Sequence, residues 1–86
     1  SYQAANACRK KGKIWYLPAR DELNVMYTNR AAIGGFNTTG DYLASYYWSS
    51  SAVTYDYIDA WGQRFDNGEQ GGWGSARKFR VRCVRH

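Results

Sequence analysis

Cysteine placement is the tightest constraint on this chain. Two cysteines occur in 86 residues, Cys8 near one end and Cys83 near the other. The closing stretch KFRVRCVRH sets Phe79, Val81 and Cys83 against Arg80 and Arg82. That alternation predicts a terminal strand over residues 78 to 86 with one buried and one wet face, Cys83 being on the buried one. Cys8 shares a face with Ala4 and Ala5 in a helix predicted through YQAANACRKKG. Two cysteines and a lone terminal His86 fall short of the four ligands of a structural zinc site. A reactive thiol and a Cys8–Cys83 disulfide are the readings left, and the disulfide is favoured. A chain of this length buries only about 60 to 65% of its unfolded surface, and thin cores are commonly stapled. Such a bridge contributes roughly 4 kcal/mol in the chain-entropy model. A persistent disulfide implies an oxidising compartment and therefore export.

Local signals place the other elements. Ser1 can cap the first helix, Lys10 and Lys11 complement its dipole in the last turn, and Gly12 supplies a left-handed stop. KIWYLP is a short extended segment ended by Pro18. A second helix is predicted from Arg20 to about Asn29, with Leu23, Met26, Tyr27 and Arg30 along one side and Asp21 and Glu22 in the favourable first turn. AAIGGFNTTGDYLA is read as loop. SYYWSSS is a strand with Tyr46, Trp48 and Ser50 on one face, and DAWGQRFD is another with Trp61 and Phe65 inward. Asn67-Gly68 is a turn, followed by a glycine-rich loop, NGEQGGWGSA, and the closing strand. Helices first and antiparallel strands after argue a single α+β domain with helices segregated from the sheet. No apolar run approaches the ~20 residues of a membrane span, and no leader is visible at the start. The chain is read as a mature protein or the C-terminal part of a longer exported one.

Chemistry narrows the function. The only histidine is the last residue, so no serine or cysteine has a histidine partner with room around it, and no carboxylate pair falls at acid–base spacing. An enzyme is not expected, and no cofactor is called for. Asp66, Asn67 and Glu69 are oxygen donors, yet one short cluster does not complete a calcium site, and no metal is expected. The net charge is +5, with Arg77, Lys78, Arg80, Arg82 and Arg85 near the C-terminus. Those cations suit an anionic partner or a solvated face. RNA-binding aromatic strings are missing, so nucleic acid is not expected. Aromatic content is high at 17%. Trp15, Trp48 and Trp61 sit in strand patterns and read as core. Trp73 lies among glycines without apolar neighbours in sequence, and either stacks on a sugar ring or plugs the domain's own surface. The ligand reading is carried forward. Tyr55, Tyr57 and Asp59 in TYDYID have the composition of an adaptable binding surface.

Four strings in order, WYLPARDELNVMY, YYWSSS, AWGQRFDNG and FRVRCVR, span nearly the whole chain. In that order they resemble the bacterial lectin-like domain at the C-terminus of the Legionella collagen-like adhesin. The resemblance implies a C-type-lectin-like fold, two helices packed on a small twisted antiparallel sheet with long loops. It implies a non-catalytic extracellular adhesin module on a cell surface or pilus tip. The expected ligand is a bacterial or host glycan, such as lipopolysaccharide or another anionic polysaccharide, without membrane insertion. It also implies that a cysteine on the first helix bonds one on the last strand, at the positions of Cys8 and Cys83. Two departures stand out. Ala19 replaces the Thr or Ser usual in the family, removing half of a capping box with Glu22 at a cost of about 1 kcal/mol. No strand is seen before the first helix to pair with the last strand; either it lies upstream or another chain pairs that edge, and the second case favours an alternative function as a protein-binding or oligomerisation module. The expected ligand-binding set is Tyr55, Tyr57, Asp59, Asp66, Asn67, Glu69, Trp73, Arg77 and Lys78. Tyr57, Asp66, Asn67, Glu69 and Trp73 are expected to share one recess away from the termini.

Overall fold

The computed structural model describes residues 2–39, 42–52, 60–74 and 77–85. Helix α1 (Tyr2–Arg9) leads to strand β1 (Trp15–Tyr16), helix α2 (Arg20–Thr28) and a short helix α3 (Arg30–Ile33). A 3-10 turn at Tyr42–Ser45 precedes β2 (Tyr46–Ala52), then β3 (Ala60–Arg64), β4 (Gln70–Trp73) and β5 (Val84–Arg85). Strands β2, β3 and β4 form an antiparallel sheet in that order, and β1 pairs antiparallel with β5. The chain is thus a small α+β domain with antiparallel sheets.

The three-stranded sheet is covered on both faces. Successive residues of a strand point to opposite sides. On β2, Trp48 packs with Ala4 and Cys8 of α1, Leu17 and Ala60, and Ala5, Trp73, Phe79, Val81 and Cys83 close around that cluster. Its neighbour Tyr47 belongs to a second cluster with Leu23 of α2 and Phe65, flanked by Met26, Tyr27 and Phe36. Helix α1 therefore lies on one face and α2 on the other. Cys8 is fully buried and is bonded to Cys83, with the Cα atoms 5.4 Å apart. Gly12 has φ +143, a left-handed value that lets the chain turn out of α1 towards β1.

Helix α2 is capped from outside itself. Ala19 has no side-chain oxygen to offer, but its N–H donates to Glu22 Oε1 at 2.9 Å, so Glu22 supplies its own half of the box. The N–H of Arg20 donates to Ser51 Oγ at 2.8 Å. A hydroxyl from β2 thus satisfies a first-turn donor of α2, in part replacing what Ala19 lacks. The serine run of YYWSSS is explained by the same region. Ser49 donates to the Trp61 carbonyl at 2.8 Å and Ser50 N–H to the Pro18 carbonyl at 2.9 Å, where the β2–β3 register shifts. Ser51→Ala should cost about 1 kcal/mol. A shift in the urea midpoint measures it, and a change below about 0.3 kcal/mol would remove Ser51 as the cap.

Four expectations need correction. The closing segment is not one strand. Arg80 makes an isolated parallel bridge to Tyr47, and only Val84–Arg85 form a strand. Phe79, Val81 and Cys83 still face the core, because the alternation is set by burial and not by an unbroken ladder. The last strand has its partner inside the chain, Trp15 opposite Arg85 and Tyr16 opposite Val84. The glycine-rich loop contains strand β4. Its Gly71 pairs with Gly62, and a Cβ on Gly62 would come within 3.2 Å of the Tyr47 carbonyl and 3.4 Å of the Tyr46 ring. These glycines serve close packing under aromatic rings. Lastly, Arg30–Ile33, read as loop from Ala31 on, is helical and stops at Gly34, whose φ is +77.

Candidate functional site

Ala52 lies opposite Ala60, and Ala60 opposite Trp73. The chain therefore leaves β2, enters β3 and leaves β4 at one end of the sheet. Tyr55, Tyr57 and Asp59 fall in the segment joining β2 to β3, outside the described residues. After β4, Arg77 N–H donates to the Gly74 carbonyl at 3.1 Å, so the chain turns back at once. That turn sets the Arg77 guanidinium over the Trp73 ring, 5.0 Å from its centroid. Arg77 and Lys78 are both exposed.

Trp73 is not an isolated loop residue. It ends β4, is half-buried, and meets Tyr46 and Phe79 edge to face at 5.4 and 5.5 Å. Its indole N–H is buried without a hydrogen-bond partner. The absence of apolar neighbours in sequence misled, because the rings it packs on come from β2 and from residue 79.

The other acidic and amide candidates sit at the opposite end of the β3–β4 hairpin. Asp66 takes a two-pronged hydrogen bond from Arg64, at 2.9 Å from Nε and 2.6 Å from Nη2. That fork holds the Asp66 carboxyl below the usual aspartate range and raises Arg64. The linkage has a sign: stability from a depressed carboxylate is present above the ordinary aspartate range and is lost as pH falls through the depressed value. Asn67 Oδ1 accepts the N–H of Glu69 at 2.9 Å, closing the turn, and Glu69 is exposed. Gly68, φ +83, backs onto the Tyr27 ring, where a Cβ would lie only 2.5 Å from a ring carbon. From Glu69 to Trp73 the strand rises about 13 Å, at ~3.3 Å per residue. Asp66, Asn67 and Glu69 therefore lie towards the end of the hairpin away from Trp73. The stretch from 67 to 73 opens on a turn and continues as strand β4.

A residue outside the expected set is more constrained than any of these. The guanidinium of Arg20 lies over the Trp61 ring at 3.8 Å, and its Nε donates to Gln70 Oε1 at 3.2 Å. Gln70 Nε2 donates in return to the Arg20 carbonyl at 3.4 Å. Trp61 and Trp15, expected in the core, are half-buried and lie under cations: Arg20 on Trp61, Lys11 and Arg85 on Trp15. Only Trp48 of that trio is fully internal. The partners of Arg20 lie 31 and 50 residues away, so no local sequence pattern points to them.

The C-terminal cations divide by use. Arg80 Nε donates to the Ala44 carbonyl at 2.7 Å, and Arg82 Nη1 to the Gly34 carbonyl at 3.1 Å while lying over Phe36. Both act as struts for loop backbone. Arg77 and Lys78 are exposed, Arg77 lying over the Trp73 ring. Among the described residues no three His, Cys, Asp or Glu side chains converge as a metal cage would require. Among the same residues no helix is long and apolar enough to cross a membrane.

A sheet covered on both faces and a disulfide that ties α1 to the segment before β5 define a stapled α+β domain. The pattern of the Lcl C-terminal domain family matches residues 1–85, and the chain belongs to that family. Membership makes it an adhesin-like module of a surface or extracellular protein, in a family not known as catalytic. No curated protein and no solved structure matches the chain.

Proposed function

We propose that this domain is the ligand-binding head of an extracellular adhesin, with a C-type-lectin-like fold, and that it holds an anionic surface glycan such as lipopolysaccharide at the Trp73 end of the sheet, with the tip of a pilus as one setting. The carrying observation is the family match over residues 1–85. The location is argued from the exposed pair Arg77 and Lys78 beside the half-buried Trp73. Tyr55, Tyr57 and Asp59 stay in the proposed set because the ends of their segment, Ala52 and Ala60, pair beside Trp73. A sugar ring uses the apolar indole, and its phosphate, sulfate or carboxylate uses the two cations. Asp66, Asn67 and Glu69 belong to the far turn and contribute nothing to this contact. The oligomerisation reading rested on an unpaired last strand, and β1 supplies that pairing.

Arg77→Ala and Lys78→Ala should each weaken binding to lipopolysaccharide or a sulfated polysaccharide by about fivefold at unchanged melting temperature. Binding should also weaken with added salt, since exposed charges are screened within ~8 Å at physiological ionic strength. Arg9→Ala, on α1, is the control. Trp73→Ala should lower both affinity and melting temperature, since its ring also packs on Tyr46 and Phe79. Equal losses from Arg9→Ala and Arg77→Ala, or no binding to either polymer, would defeat the proposal.

A further inference from the structure

Arg20 is half-buried and has no counter-charge among the described residues. Among the described residues the ion pairs are Arg64 with Asp66 and Arg64 with Glu69. Of the two acidic residues that follow it, Asp21 forms no ion pair among the described residues, and Glu22 gives one carboxylate oxygen to the Tyr16 hydroxyl at 2.8 Å and the other to Ala19 N–H at 2.9 Å. Three contacts fix Arg20 in place: its N–H on Ser51, its Nε on Gln70 and its flat face on Trp61. None of them uses either terminal Nη group. Arg30, Arg64 and Arg82 each give a terminal Nη to a carbonyl or carboxylate. In Arg20 the orientation is fixed while the terminal edge has no acceptor among the described residues. A fixed guanidinium edge presents parallel N–H groups in one plane, which match a planar two-oxygen acceptor. Most of the cost of ordering the side chain is met before any ligand arrives. Trp61 pairs with Gly72, one position along from the Ala60–Trp73 pair, so Arg20 lies near the same end of the sheet as Arg77. Trp61 and Trp73 occupy opposite faces, since their partners differ by one residue in the ladder.

We infer that Arg20, held by Trp61 and Gln70 on the α2 face of the sheet, is a carboxylate-binding subsite that takes the uronic acid residue of an acidic polysaccharide. This rests on the glycan-binding reading for the polymer, though not for the subsite itself. The test is a titration of isotope-labelled protein with sodium glucuronate, with its neutral methyl ester and with sodium sulfate at matched ionic strength. The signals followed are the Arg20 Nε–H and the Trp61 indole N–H. Glucuronate should shift both saturably, and the ester should not. Sulfate should compete at least fivefold less well. Arg20→Lys keeps the charge but loses the fork, and should weaken the glucuronate response at least tenfold with the amide spectrum otherwise retained. Arg77→Ala should leave it unchanged. No saturable shift, an equal response to the ester, equal competition by sulfate or an unaffected Arg20→Lys variant would each overturn the subsite. Lipopolysaccharide binding lost in Arg77→Ala would survive any of these results. A glucuronate response without polymer binding would instead uphold the subsite and sink the glycan reading.

Discussion

Replacing Cys8 and Cys83 together by alanine should remove about 4 kcal/mol of stability and leave much of the chain unfolded at physiological temperature. The bridge closes 75 residues, nearly the whole domain. Without it, the unfolded chain regains the freedom of a long open loop. Small domains have about 5 to 15 kcal/mol in total, so a loss of that size is a large fraction. Alanine is the proper replacement because Cys8 is fully buried, and serine would add an unpaired hydroxyl to the α1 cluster. Urea unfolding of the oxidised protein and the double variant gives the difference directly. A loss under about 1 kcal/mol would mean that the α1 cluster and the β1–β5 pairing hold the ends unaided.

Phe65→Ala should cost about 3 to 5 kcal/mol, the range for deleting a large ring from a closed core. Phe65 is fully buried. It stacks on Phe36 at 4.5 Å, tilts against Tyr47 at 4.7 Å and meets Tyr27 edge to face at 5.7 Å. Its N–H donates to the Ser45 carbonyl at 2.8 Å, so the backbone there is held and cannot close around the void. Phe65→Leu fills much of the same space and should lose less than half as much. Equal losses for the two variants would indicate that ring contacts, and not volume, dominate the α2 cluster.

The readable part of this fold was the part encoded by short-range periodicity. Ala4 and Cys8, four apart, marked the buried side of α1, and Leu23, Met26 and Tyr27 marked that of α2. Cys83 was placed on an inward face by alternation with Arg80 and Arg82, and it is bonded to Cys8. What stayed hidden depended on residues far apart in sequence. The glycines of β4 look like loop glycines until Tyr46 and Trp73 are seen beside them. Arg80 and Arg82 look like the wet face of one long strand, yet they bind the Ala44 and Gly34 carbonyls and help hold the loops over the sheet. The candidate site divided in the same way. Arg77 and Lys78 were legible as exposed charge, whereas separating Trp73 from Asp66 required knowing that the residues between them form a strand. Arg20 carried no signal, because its platform and its brace are assembled from β3 and β4.

An adhesin works under tension, and the Cys8–Cys83 bond decides where that tension runs. A pull applied to the chain on either side of the bridge passes from one sulfur to the other. For a pull between the two ends of the chain the 75 residues inside the loop are bypassed, and a pull between one end and a ligand at Trp73 enters the loop at both cysteines together. The sheet, both core clusters and the Trp73 end can therefore be dragged through a flow without being unravelled from their ends. Cutting that bond would let the same pull pay out a further ~250 Å of chain, at roughly 3.3 to 3.6 Å per residue. The staple that compensates for a thin core thus also serves as the domain's mechanical fuse, intact in an oxidising exterior and broken by reductant.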